Sequence, residues 1–404
     1  MIYDLLLPLK IIFGAGRRSD VGVFVRPIAS RAIVISGSRK LSDNGKLSEI
    51  ICLMESSGVS VIAMESISHE PTTTDVDNFT FRFISENSVT DKFDDLIVIG
   101  IGGGAAIDLA KSVAAMIPQQ INKQNSIRNY LEGVGDGSKL IAKPLPVAAI
   151  PTTAGTGAEA TKNAVISSSE ADVNVGLGLF KKSLRDEGML PRLAIIDPEL
   201  AASCPNKITV ESGMDAVTQL FESYVAKRRQ PFTDALIEQG LVQAFEALPK
   251  LIEYPGDIDL RGKMAHAALL SGISLTNAGL GMAHGIAPAL GVYCGVSHGA
   301  ACALLLPVTL RTNADVCKDR YGRLGKLILG IDQNTPNEIA TNMLIEHVES
   351  ICNKLNTPRK LADLNIEKKM IPIIAKNSKG SSMDGNPKKL SEQEIAEILT
   401  SIQN

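Results

Sequence analysis

The first half of the chain alternates short runs of apolar, often β-branched residues with helical patterns. RAIVIS at 31–36, VSVIAM at 59–64, DLIVIGIG at 95–102, LPVAAIP at 145–151 and LAIID at 193–197 are apolar at nearly every position. Such runs suit strands buried on both faces, so they predict a parallel sheet flanked by helices. After Pro198 the strand signal stops. From about residue 207 onward, segments such as KITVESGMDAVTQLFESYVAKR and RGKMAHAALLSGISL repeat their apolar residues three and four apart, which is the helical period. Pro191, Pro198 and Pro205 punctuate the change. The expected organisation is therefore an α/β domain over 1–195 and an all-α domain over 196–404.

The run at 95–102 leads straight into Gly102, Gly103 and Gly104 and then into a helical pattern beginning AAIDLAKSVA. Consecutive glycines let the backbone turn sharply and approach a pyrophosphate, while the first N–H groups and the positive end of the helix face the anion. The same glycines would also serve as a tight strand-to-helix connection, and spacing alone leaves both readings open. After the next strand comes PTTAGTGAEAT at 151–161, whose hydroxyls and amides suit phosphate or amide recognition, or an ordinary capping loop. Loops at the carboxyl ends of neighbouring strands are where open α/β sheets bind ligands.

Dinucleotide sheets often place an acid after an early strand to hold the ribose 2′-hydroxyl. Here strand 31–36 ends in Ser36-Gly37-Ser38-Arg39-Lys40, with no acid before Asp43. Gly37 leaves room, and Ser38 with Arg39 or Lys40 suits a 2′-phosphate. NADP is the expected cofactor; a solvated basic loop that leaves NAD acceptable is the competing reading.

Composition narrows the partners. With 404 residues, 45% of them hydrophobic, and a formal net charge of −3, the chain can bury two cores and carries no basic field for nucleic acid or an anionic membrane. A small-molecule substrate is expected instead. The six cysteines (52, 204, 294, 302, 317, 352) form no CxxC pair, which points to reduced thiols and a cytoplasmic setting. None of them stands out as a nucleophile. The N-terminal stretch MIYDLLLPLKIIFGAG is broken by Asp4, Pro8 and Lys10 and does not read as a signal peptide.

Of five histidines, His284 and His298 share one glycine-rich apolar stretch, NAGLGMAHGIAPALGVYCGVSHGAACALLLP. Upstream, Asp215 and Gln219 are four residues apart on a predicted helix and so lie on one face. An acid, an amide and two imidazoles make a donor set for a catalytic metal ion. A pair of buried, hydrogen-bonded histidines fits the spacing equally well.

At these residues the chain resembles the iron-containing, or group III, alcohol dehydrogenase family, which is related in fold to dehydroquinate synthase and glycerol dehydrogenase. The likeness runs through FGAG at 13–16, GGGAAID at 102–108, PTTAGTGAEAT, DPEL at 197–200, GMDAVTQ at 213–219, His284 through LLLP at 304–307, and the late GNPKKLSEQEIAEIL. It implies a Rossmann-like α/β domain followed by an all-α domain, and hydride transfer between NAD(P) and a small alcohol or aldehyde. Gly102, Gly103, Gly104 and Asp108 would form the pyrophosphate loop, and Thr152, Thr153, Thr156, Asn163 and Lys181 would contact the cofactor. Gly37 falls where NAD-preferring members tend to carry Asp. Asp215, His284 and His298 match three of four ligands for Fe²⁺ or Zn²⁺ and would be the catalytic centre; relatives are often homodimers.

Two positions depart from the family pattern. Gln219 stands where the fourth ligand is usually His, and Pro288 replaces a further histidine four residues after His284. An amide oxygen is a weaker, harder donor than imidazole. Pro288 removes a group for a proton relay, leaving water or ribose hydroxyls. His266 is expected to pack on a helix, and His69 and His347 to face solvent. Two other functions are weighed against a dehydrogenase: a non-redox cyclase of the dehydroquinate synthase type, and a nucleotide-binding protein that has lost its metal. The first would need a Lys/Arg phosphate cluster near the metal, which GLGMAHGIAPALGVYCG does not offer.

Overall fold

A computed structural model describes residues 3–37, 39–87, 93–120 and 125–404. The chain divides into two compact units. One comprises Leu7–Thr153 with Gly157–Cys204; the other comprises Met1–Leu6, Ala154–Thr156 and Pro205–Asn404.

In the first unit, six strands pair in parallel in the order β1 (Lys10–Phe13), β8 (Leu193–Ile196), β5 (Val147–Pro151), β4 (Leu96–Gly102), β2 (Arg31–Ser36) and β3 (Ser60–Ser66). Every residue of β4, LIVIGIG, is buried. Ile97, Ile99 and Ile101 pack with Ile50 and Met54 of the Lys46–Ser56 helix on one face of the sheet. On the other face, Val98 joins Ile33, Ile35 and Ala110 of the Gly104–Met116 helix. Gly100 lets that helix come close, because a Cβ there would meet the Ala110 Cβ at 3.0 Å. The expected α/β fold with a parallel sheet followed by a helical region is thus what the chain forms.

Three details differ from expectation. β3 is the sheet's edge, so its residues alternate between exposed and half-buried and leave Ile62 and Met64 exposed, where the apolar run suggested burial on both faces. β1 was not signalled, since only Ile12 of its four residues is buried. A separate antiparallel pair, β6 (Asn163–Ser167) with β7 (Lys181–Arg185), was also not signalled. β6 alternates buried and half-buried positions and so lacks a continuous apolar run.

The FGAG and DPEL motifs meet at one carboxylate. Buried Asp197 caps the Pro198–Ala201 helix, accepting from Glu199 N at 3.0 Å, and also accepts from Gly16 N at 3.0 Å, Arg18 N at 3.1 Å and Arg18 Nη1 at 2.8 Å. The carboxylate thereby satisfies three backbone donors and the buried Arg18 guanidinium, which is what lets two charges sit inside the fold.

In the second unit the helices Asn206–Val225, Pro231–Leu251, Ile258–Ala278, His298–Leu329 and Asn337–Lys354 share one core around Leu220, Leu241, Met264, Leu306 and Leu344. The Met282–Cys294 helix packs Ile286 and Leu290 against Leu305, Ile374 and Leu399 in a second cluster. Among the described residues, no helix is long and apolar enough to cross a membrane.

Candidate functional site

The glycine turn sits at the carboxyl end of β4. Gly102 has φ +157°, and a Cβ there would lie 2.8 Å from the Ala106 Cβ and 3.0 Å from the Gly37 backbone, so only glycine fits. The helix starts at Gly104 directly behind Gly103, leaving its first N–H groups without intrahelical partners, as at any helix start. Thr152 N donates to Gly102 O at 2.9 Å, and Thr153 Oγ1 would be 3.3 Å from a Cβ on Gly103. Gly102–Gly103 and Thr152–Thr153 are therefore neighbours. Gly37 belongs here too, donating to Ile101 O at 3.0 Å. A Cβ on Gly37 would approach the Ala106 Cβ to 2.7 Å, which gives this glycine a steric reason independent of any nucleotide. Ser38 lies outside the described residues. Lys40 Nζ donates to Ser203 O at 3.3 Å.

The remaining cofactor candidates are dispersed. Asp108 Oδ2 accepts from Val165 N at 3.0 Å and Oδ1 lies 3.4 Å from Lys111 Nζ. Lys111 is fully buried, and its ammonium donates to Ala158 O at 2.9 Å, Thr161 Oγ1 at 2.7 Å and Asn163 O at 2.5 Å. Burial disfavours its charge and lowers its pKa against the attraction of Asp108. Its role is to pin residues 158–163 beneath the glycine helix. Glu159, buried beside it, has its pKa raised to about 7 by burial, with Lys111 opposing. Asn163 thus enters through its carbonyl, and Lys181 pairs with Glu70. Thr156 groups with the helical unit, where its carbonyl accepts from Gln219 Nε2 at 3.4 Å.

In the helical unit, three helices bring their polar side chains to one point. Asp215 comes from Asn206–Val225, His284 from the first turn of Met282–Cys294, and His298 opens His298–Leu329. Asp215 Oδ1 is 3.1 Å from His284 Nε2 and 3.6 Å from His298 Nε2. Cys302, one turn beyond His298, places Sγ 3.7 Å from both imidazole Nε2 atoms. One donor atom from each of these four residues lies within 4.8 Å of all the others. Gln219 is turned elsewhere: its Oε1 accepts from Ser271 Oγ at 2.7 Å and its Nε2 reaches Thr156 O.

Glu222 holds this arrangement. Seven residues after Asp215 on the same helix and 1% exposed, it accepts from Ala283 N at 2.5 Å and from His284 Nδ1 at 2.7 Å. One carboxylate thereby caps a helix start, where negative charge is favoured, and orients the imidazole. Gly281 makes the approach possible, since a Cβ there would meet Asn386 Oδ1 at 2.9 Å and Glu222 Oε1 at 3.1 Å. Asn386, from the late GNPKK motif, accepts from Met282 N at 3.1 Å and exchanges 2.9 Å hydrogen bonds with Asn313.

Burial opposes ionisation throughout the cluster. For His284 it is outweighed by Cys302, Asp215 and Glu222, which raise the pKa well above the ordinary value. Burial likewise works against the Asp215 carboxylate, but the two imidazoles hold its pKa below the usual range. Burial pushes the Cys302 thiol up to about 12. Shifted groups gathered at one point in this way are more common at functional sites than elsewhere. Outside it, His266 packs as expected with Nδ1 2.7 Å from Gln243 Oε1, and His69 is exposed and paired with Asp75. His347 is half-buried and stacks edge-on to Phe245 at 5.4 Å, where a solvent-facing position was expected.

Sequence reading missed Cys302, Glu222 and Lys111. The first two carried a usable signal, His-x₃-Cys and Asp-x₆-Glu on helical spacing; Lys111 became recognisable only through its partners.

Comparison with known proteins places the geometry. Residues 8–198 match the family model described as iron-containing alcohol dehydrogenase, and residues 209–403 match that family's C-terminal model. The chain is 28% identical over 398 residues to an NAD-dependent methanol dehydrogenase of Bacillus methanolicus, covering 98% of each chain. It is also 28% identical to an NADPH-dependent butanol dehydrogenase of Clostridium saccharobutylicum, covering 97% of this chain and 96% of that one. A crystal structure of 1,3-propanediol oxidoreductase superposes with TM-score 0.88 at 26% identity, covering all of both chains.

Two outcomes follow from the positioning groups. Glu222→Gln keeps the shape but removes the charge behind His284, and should weaken Zn²⁺ binding by on the order of 10- to 100-fold in a chelator competition; unchanged affinity would contradict the role given to Glu222. Glu159 has a folded pKa of about 7 against 4.5 for the free group. Its protonated form is therefore favoured by folding, and stability is lost as pH rises from 4.5 through 7. Against Glu159→Gln, the native chain should lose up to about 3 kcal/mol over that window in urea unfolding; parallel pH curves for the two proteins would exclude this.

Proposed function

This chain belongs to the iron-containing alcohol dehydrogenase family and is an NAD(P)-dependent alcohol dehydrogenase; from that premise we propose that it interconverts a small alcohol and its aldehyde with NADP(H), using a divalent ion held by Asp215, His284 and His298. The observation that carries the reading is the convergence of those three side chains, with His284 fixed from behind by Glu222.

The donor set fits Fe²⁺ or Zn²⁺: one carboxylate and two imidazoles, buried or half-buried, whose nearest donor atoms are 3.1 and 3.6 Å apart. When bound, the ion acts as a Lewis acid on the substrate oxygen, and the nicotinamide supplies or accepts the hydride. Glu222 keeps the Nδ1 proton of His284 engaged, so Nε2 is the nitrogen left to face Asp215. Gly102, Gly103 and Gly104 let the helix start approach the diphosphate, and Thr152 and Thr153 stand beside them. Pro288 occupies the position where the family pattern carries a further histidine, so this chain would offer no imidazole there for a proton relay.

Preference for NADP(H) is supported by the end of β2. No carboxylate follows Ser36 before Asp43, so no side chain there would repel a 2′-phosphate. The six free thiols are consistent with a reducing, cytoplasmic setting.

The test is anaerobic reconstitution with Fe²⁺ or Zn²⁺, followed by nucleotide absorbance with a series of short aldehydes. Metal-dependent consumption of NADPH, with kcat/KM at least about 10-fold above that for NADH, is expected; 10-fold corresponds to about 1.4 kcal/mol of discrimination. Absence of metal-dependent turnover would overturn the metal assignment, and preference for NADH would overturn the cofactor assignment alone.

A further inference from the structure

The geometry points to Cys302 as the fourth protein ligand of the metal ion, a thiolate supplied from the His298 helix in the role that sequence spacing gave to Gln219. This inference rests on the metal-site reading above and specifies its donor set.

Cys302 is one helical turn from His298 and fully buried. Its Sγ stands 3.7 Å from His284 Nε2 and 3.7 Å from His298 Nε2, and the thiol also interacts with the Asp215 carboxylate. These spacings match an ion's coordination shell. With metal–nitrogen and metal–oxygen bonds of about 2.0–2.2 Å and a metal–sulfur bond of about 2.3 Å, tetrahedral geometry puts neighbouring donors about 3.3–3.7 Å apart. The 3.6 Å separation of Asp215 from His298 and the 3.7 Å separations of Cys302 from both imidazoles fall in that range, and the 3.1 Å separation of Asp215 from His284 is slightly shorter. The same 3.7 Å contacts would also suit a thiol hydrogen-bonded to the imidazoles, and the cobalt spectrum below separates the two.

The competing donor is committed elsewhere. Gln219 spends its carbonyl oxygen on Ser271 and its amide nitrogen on Thr156 O, so it braces the helix face behind Asp215. A soft sulfur donor also shifts the site's preference from Fe²⁺ toward Zn²⁺ or Co²⁺. On binding, the ion takes the place of the thiol proton, which is released to solvent.

The experiment is titration of metal-free protein with Co²⁺, read by its visible ligand-field bands and by the near-ultraviolet charge-transfer band that only a cobalt–thiolate bond produces. The native chain should show both. Cys302→Ser should keep the visible bands, lose the near-ultraviolet band, and bind Zn²⁺ at least about 10-fold more weakly, while Cys317→Ser, on the same helix but far along it, should behave as the native chain. Visible bands without a charge-transfer band in the native chain would overturn the inference and leave the metal site standing. So would persistence of that band in Cys302→Ser. No cobalt spectrum at all in the native chain would overturn the metal site itself, and the inference with it. Because the native chain alone can decide against the thiolate, a poorly folding variant does not shelter the idea.

Discussion

The interaction on which the helical unit's chemistry depends is the contact of one buried carboxylate, Glu222, with the start of the Met282–Cys294 helix and the His284 ring. A carboxylate 1% exposed is unfavourable unless every nearby donor is spent on it. Here the donors are an amide at a helix N-terminus and an imidazole N–H, both of which gain from negative charge. The same contact sets which nitrogen of His284 faces Asp215. Gly281 and Asn386 exist around it as spatial necessities: the glycine gives Glu222 and Asn386 access to the helix start, and the asparagine takes the Met282 amide that Glu222 does not reach. This accounts for why a glycine-rich run precedes His284 and why a motif a hundred residues later belongs to the same site.

The α/β unit obeys a different constraint, close approach of backbone to backbone. A Cβ on Gly37 or Gly102 would come within 2.8 Å of the Ala106 Cβ, so the end of β2, the end of β4 and the helix behind them form one tight corner. Lys111 supports the corner from the interior. Its ammonium, buried at a cost in desolvation, is held by carbonyls of residues 158 and 163, the Thr161 hydroxyl and Asp108. The motif GGGAAIDLAK thus combines a turn that can receive a phosphate with a lysine that fixes the neighbouring loop.

Much of this was legible in the sequence because it rests on periodicity. The buried runs at 31–36, 95–102, 145–151 and 193–197 announce their strands, and the helical half is announced by its three- and four-residue spacing. β1 and the β6–β7 pair escaped because half-exposed short strands carry no continuous apolar run. Asp215, His284 and His298 were legible as residue types in a glycine-rich setting, and they meet. Cys302 was hard to see because it matters through its helical spacing from His298, a pattern without the paired cysteines that usually mark cysteine chemistry. Glu222 lies at helical spacing from Asp215, a signal available in sequence, whereas Lys111 is an ordinary charge there and only tertiary contact reveals that it is buried. Asp108, which the resemblance places in the phosphate loop, directs its oxygens to Val165 N and Lys111, contacts set by β6, whose presence the pattern did not announce.

The most direct test of the account is anomalous diffraction from crystals of the zinc-loaded protein at the zinc edge. A single strong peak should lie within bonding distance of Asp215, His284 Nε2 and His298 Nε2, with His284 Nδ1 still on Glu222. A peak bonded to other residues, or His284 rotated away from Glu222 with no peak beside it, would contradict the account.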